Sequence, residues 1–176
     1  MVSDEVVTTK ADDKTQIVFL DGSTLNVGPN SSITIDKFVY DADKRTGQLS
    51  LDAGRGVFRY VGGAISKNSE VTVKSRGATM GIRGTMVQVD IDVNNGQTKL
   101  AVLIEPNGLT GSFQVFSLSG QFLGTVNNSS VTALILPTSP LQATMTEIAK
   151  TPGELQDALA IVQKVVQTQA VGQAIM

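Results

Sequence analysis

The stretch Thr85-Met86-Val87-Gln88-Val89-Asp90-Ile91-Asp92-Val93 alternates strictly. Val87, Val89, Ile91 and Val93 fall on one face, and Gln88, Asp90 and Asp92 on the other. A period of two over this length marks a strand with one face buried and one face in water. The pattern spreads upstream. Val71-Thr72-Val73 alternates, Val57-Phe58-Arg59-Tyr60-Val61 lies between Gly56 and Gly62-Gly63, and Gln48-Leu49-Ser50-Leu51 follows a polar turn at 41–47. Ile33 and Ile35 alternate within a run ending at Tyr40, and the run from Thr15 to Leu20 stops at Asp21-Gly22, a strong tight-turn signal. Downstream, strands are expected at Thr98–Ile104, Ser112–Leu118, Gln121–Val126 and Val131–Leu136, with turns at Pro106-Asn107-Gly108, Ser119-Gly120 and Asn127-Asn128.

The pattern changes after Leu136. Pro137 and Pro140 interrupt it, and Thr151-Pro152-Gly153-Glu154 reads as a helix start, with Thr151 as N-cap and Glu154 reaching back. Leu155, Leu159, Val162, Val166 and Ala170 then recur near the helical period, so a helix is expected from about Pro152 to Gln169, or from as early as Ala143. Three segments follow from this reading: a β domain over 1–95, a hairpin extension over 96–136, and a linker with a C-terminal helix over 137–176. The fold class is mainly β. Short strands with no alternating helices exclude a doubly wound α/β fold and leave a sandwich, a barrel or a solenoid.

Composition narrows the chemistry. The chain has 176 residues and no Cys or His, so disulfides, thiol nucleophiles, imidazole bases and the usual zinc sites cannot be built. No carboxylate sits in an apolar context that would raise its pKa, and an enzyme is disfavoured. A net charge of -2 makes no electrostatic case for nucleic acid. No stretch approaches the roughly 18 apolar residues of a spanning helix. The acidic start, Met1-Val2-Ser3-Asp4-Glu5, has no signal-peptide core and fits either a cytosolic chain or the mature part of an exported one.

Residues from about Val6 to Val93 resemble the FecR-domain family. The resemblance is carried by Ile17–Leu25 with its central Asp21-Gly22, Val27–Ser31, Ile35–Asp41, Gly56–Gly63, Ile65–Asn68 and the signature Gly81-Ile82-Arg83-Gly84-Thr85. It implies a compact all-β domain, solenoid-like, placed outside the cytoplasm in the periplasm or at the cell surface. It also implies a protein partner and no cofactor. The family's best-known members relay a receptor's signal to a sigma factor, through a cytoplasmic helical segment and a spanning helix that these residues do not show.

Three local motifs are weighed against plainer readings. Gly81, Arg83, Gly84 and Thr85 would form an interaction turn, or simply a tight corner that needs glycine; the corner is preferred. Arg55, Arg59, Lys67, Lys74, Arg76 and Arg83, with Glu70 the only acid among them, would form a basic face, against ordinary solvated charges. Asp90, Asp92, Asn94 and Gly96 are similar to a calcium loop, but the glycine is late and the closing acid is absent, so outward-facing strand acids explain them better. The leading function is a non-enzymatic envelope module for protein contact or assembly. The alternative is a self-polymerising subunit of a surface fibre, built by edge-strand pairing.

Overall fold

The computed structural model of the chain describes residues 5–75, 77–84, 86–92, 97–104, 110–157 and 159–160. Among them are thirteen strands and one short helix before the C-terminal segment. In chain order the strands begin with β1 (Glu5–Thr8), β2 (Thr15–Val18), β3 (Thr24–Val27), β4 (Ser32–Asp41) and β5 (Thr46–Val61). Helix α1 (Ala64–Asn68) follows, then β6 (Val71–Lys74), β7 (Thr79–Arg83), β8 (Met86–Ile91) and β9 (Thr98–Leu103). The last four are β10 (Ser112–Phe116), β11 (Phe122–Val126), β12 (Val131–Pro137) and β13 (Ala143–Ala149).

Two sheets share β5. The first runs β1-β4-β5-β6-β7-β10-β11, and the second runs β2-β3-β5-β8-β9-β12-β13. The first half of β5 pairs with β4 and β6, and its second half with β3 and β8. The crossover shows in the side-chain parity. Leu49, Leu51 and Ala53 are buried, then Phe58 and Tyr60, so the inward face passes from odd to even numbers across Gly54–Gly56. Read from the sequence alone, this strand divides into two, because the glycines between them look like a turn. A second parity change lies in β4, where a bulge between Ile35 and Lys37 lets Ile33, Ile35 and Phe38 all face inward.

All neighbouring pairs are antiparallel except β5–β6. A β-solenoid stacks successive coils in parallel register, so the solenoid expectation does not hold for this sheet order. The two sheets face each other and nearly close into a barrel-like wrap. At one seam β11 and β13 touch, and the Met145 side chain lies directly over Gly124. The core between the sheets contains Leu25, Ile33, Leu51, Ile82, Leu100 and Phe113, each at most 1 % exposed. Burial of each such side chain contributes roughly 1.5–3 kcal/mol.

Several local expectations change. Residues 143–149, read as linker or early helix, form β13. Pro137 ends β12, paired with Ala143, and Pro140 lies in the β12–β13 connection, where Thr138 N–H donates to Gln142 O over 2.9 Å. Proline is tolerated at 137 because β9 pairs with β12 only over Ala133–Ile135, so the missing N–H interrupts no ladder bond on that side. Helix does follow at 152–157 and 159–160, with Glu154 N–H donating to Thr151 Oγ1 and Thr151 N–H to Glu154 Oε1. That is the reciprocal capping the sequence announces. The expected remainder of the helix to Gln169, the turn at 106–108, and Asn94 and Gly96 lie outside the described residues.

Candidate functional site

The segments that carry the family resemblance converge on α1. Asp21 sits in the β2–β3 turn, where Phe19 N–H donates to Ser23 O over 2.9 Å and Gly22 takes φ +87°. Its carboxylate is buried and accepts from Ser23 N–H (3.0 Å), Ser23 Oγ (2.6 Å) and, across the molecule, Ile65 N–H (3.1 Å). The Asp21 carbonyl accepts from Ala64 N–H over 2.9 Å. The first two N–H groups of α1 are thus capped by a residue far away in sequence, since the adjoining Gly63 offers no side chain. Gly63 is required for closeness: a Cβ there would lie 2.4 Å from Ser23 N and 2.6 Å from Asp21 O.

The Gly81–Thr85 motif ties in from the other side. Residues 79–83 are strand β7 rather than a turn, and the corner falls at Gly84, with φ +55°. Gly84 N–H donates to Ser66 O of α1 over 2.8 Å. The Glu70 carboxyl group lies over Gly81, 2.6 Å from where a Cβ would be, and as the end of a flexible side chain it could swing aside. Arg83 meets Glu70 at 3.6 Å with its side chain 74 % exposed, which makes the pair worth little. Thr85 lies outside the described residues. Tyr60 is buried under this node, with Ser23, Ser66 and Gly63 around its hydroxyl but none in good hydrogen-bonding geometry. Burial first, and then the Asp21 carboxylate, push its phenol well above the ordinary value of 10.0.

The remaining basic residues do not share a face. Arg55 ends the pairing of β5 with β4, Lys67 projects from α1, and Lys74 stands across from Asp52 on the first sheet. Arg59 belongs to the second sheet, and Arg76 lies outside the described residues. Asp90 is directly opposite Lys99, so it has a cross-strand neighbour of opposite charge. Among the described residues no group of His, Cys, Asp and Glu has the arrangement of a metal site. No helix among them is long and apolar enough to cross a membrane.

Two features escaped the sequence reading. Gln16, Asn26, Arg59 and Gln88 stand in register across β2, β3, β5 and β8, a half-buried polar row on the second sheet. Gln16 Nε2, Asn26 Nδ2 and Arg59 Nε find no acceptor among the described residues, and burial lowers the Arg59 pKa. Beside the row, an open cavity of about 300 Å³ is lined by Asp90, Lys99, Lys150, Glu154 and Asp157, a mixture of signs that selects no simple ion. The second feature is a polar hub at the sheet crossover. Thr9 Oγ1 donates to Gly28 O (2.6 Å) and accepts from Ser31 N–H (3.0 Å), and Ser31 Oγ accepts from Val57 N–H (3.2 Å). The in-register row was legible only with the pairing known. The hub's signal was Thr9, Ser31 and Gly56 interrupting the apolar alternation.

These features define an all-β, two-sheet domain whose marked motifs, among the described residues, hold backbone together. The FecR protein family matches residues 5–104, and the chain belongs to that family. Two crystal structures of a candidate anti-sigma factor from Parabacteroides distasonis ATCC 8503, at 2.50 and 1.65 Å, share the fold. Each aligns with a TM-score of 0.59 at 8 % identity over 86 % of this chain. This chain spans 62 % and 63 % of those two chains, less than two thirds of either. A search of curated proteins finds no match.

Proposed function

We propose that this chain is a non-enzymatic module of the bacterial cell envelope that acts by binding another protein, in regulation or signalling. The observation that carries the reading is family membership over residues 5–104, together with a node in which Asp21 and Gly84 are bonded to α1. Asp21, Gly63 and Gly84 hold backbone together around α1, and the binding role in this reading falls to the surface and the strand edges. The fold shared with a candidate anti-sigma factor supports a regulatory role for such a surface. Periplasmic or cell-surface placement belongs to the same proposal. The fibre-subunit alternative gains no support from the family or from the structural neighbours.

In-cell photo-crosslinking tests the reading, with the probe placed at exposed positions of both sheets in the host bacterium. One dominant protein adduct, together with altered sigma-dependent transcription when the chain is deleted, is the expected result. Deletion without any transcriptional change, and adducts only to the chain itself, would overturn it.

A further inference from the structure

The two seams between the sheets are unlike. At the first, β11 and β13 touch. At the second, β1 pairs only with β4 and β2 pairs only with β3 among the described residues, so two strand edges face each other unjoined. Between them lies a cleft of about 380 Å³, lined by Ile17, Phe19, Ile35 and Phe38 and by the exposed Leu20 and Val39. Leu20 is 76 % exposed and Val6, on β1, 60 %.

The ladder shows what the β2 edge offers. Phe19 N–H is bonded to Ser23 O, on the β3 side. Backbone polar groups alternate direction along an antiparallel strand, so those of Thr15 and Ile17 also face β3. The N–H and C=O groups of Gln16 and Val18 therefore point out of the sheet. An apolar small molecule would fill the cleft and leave that backbone row unanswered, whereas an extended peptide answers both. Among the described residues, the one charged side chain lining the cleft is Glu5, in register with the inward-facing Ile35. An acid on the core-side face of an edge strand discourages indiscriminate pairing and selects a strand carrying a cation at that point.

We infer that the β1–β2 seam receives an extended strand of a partner protein, which adds to the β2 edge. Alternate apolar side chains enter the cleft, and one Lys or Arg meets Glu5. The inference rests on the reading of the chain as a protein-binding module and names where that binding occurs.

The test uses the full chain and the synthetic peptide Lys-Val-Thr-Val-Thr-Val, titrated by amide NMR. Saturable shifts centred on Gln16, Val18 and Leu20 are expected, with a dissociation constant below about 1 mM. Val18→Pro removes an outward N–H without touching the β2–β3 ladder and should weaken binding about tenfold or more, a loss of at least about 1.4 kcal/mol. Glu5→Lys should reverse the preference between this peptide and its Glu-headed counterpart, a readout that survives if the proline variant misfolds. Equal binding of a scrambled peptide, or insensitivity to both substitutions, would overturn the inference. So would concentration-dependent shifts at the same amides without peptide, which would make a second copy the occupant. Binding that appears only after removal of residues 1–4 would assign the seam to the chain's own start. Should crosslinking find a partner while the peptide fails, the seam is wrong and the module reading stands.

Discussion

Gly56 is the pivot on which β5 passes from one sheet to the other, and replacing it with alanine tests that account. Two costs combine. The backbone there has φ +102°, beyond the small left-handed region open to L-residues, which costs about 1–3 kcal/mol for a side chain. A Cβ would also lie 2.0 Å from Ser31 Oγ and 2.5 Å from Ser31 Cβ. Ser31 is fully buried, and its hydroxyl accepts from Val57 N–H, so it has nowhere to move. Forcing that overlap adds roughly 1–3 kcal/mol. The sum for Gly56→Ala is about 2–6 kcal/mol, or a fall in Tm of roughly 4–24 °C for a domain of this size. Gly22→Ala is the control, because Gly22 has φ +87° with nothing within 4 Å of the added methyl. It reports the backbone cost alone. Urea and thermal unfolding followed by far-ultraviolet circular dichroism would measure both. A Gly56→Ala loss no greater than that of Gly22→Ala would refute the idea that the crossover is packed against Ser31.

Three further outcomes are expected. Asp21→Ala strips the acceptor from Ser23 and Ile65 and should cost about 2–4 kcal/mol, with faster hydrogen exchange at the Ile65 amide as the local sign. Tyr60 holds its proton more tightly when folded than when unfolded, so its contribution is complete below about pH 10 and falls as pH rises above it, by up to about 1.4 kcal/mol per unit; urea midpoints should show that slope vanish in Tyr60→Phe. Arg83→Ala should change stability by less than about 0.5 kcal/mol, since the pair with Glu70 is long and exposed; a larger drop in Tm would show that Arg83 braces the corner.

Much of the β content was legible because alternation survives wherever one strand face is buried. Val87, Val89 and Ile91 announce β8, and Thr151 with Glu154 announces the helix start. Strand β1 was not foreseen because its adjacent Val6 and Val7 do not alternate, and helix α1, at five residues, is too short for a helical period to register. The Gly81–Gly84 motif was correctly noticed and its corner misplaced. Only Gly84 turns the chain, while Gly81 is a strand residue under the Glu70 carboxyl group. The six basic residues looked like a cluster because they are close in sequence. Folding separates the five described ones, Arg55, Arg59, Lys67, Lys74 and Arg83, onto two sheets and a helix.

Local chemistry therefore determined which residues are strands, where the turns at Gly22 and Gly120 fall, and that imidazole and thiol catalysis is closed to this chain. Each of these depends on neighbours within a few positions. Tertiary structure decided the rest: that β5 serves two sheets, that Asp21 caps a helix 44 residues away, and that one seam closes while the other stays open. Those outcomes depend on pairings between distant strands. A strand's own sequence specifies which face is buried but not which edge finds a partner, because every backbone edge offers the same N–H and C=O groups.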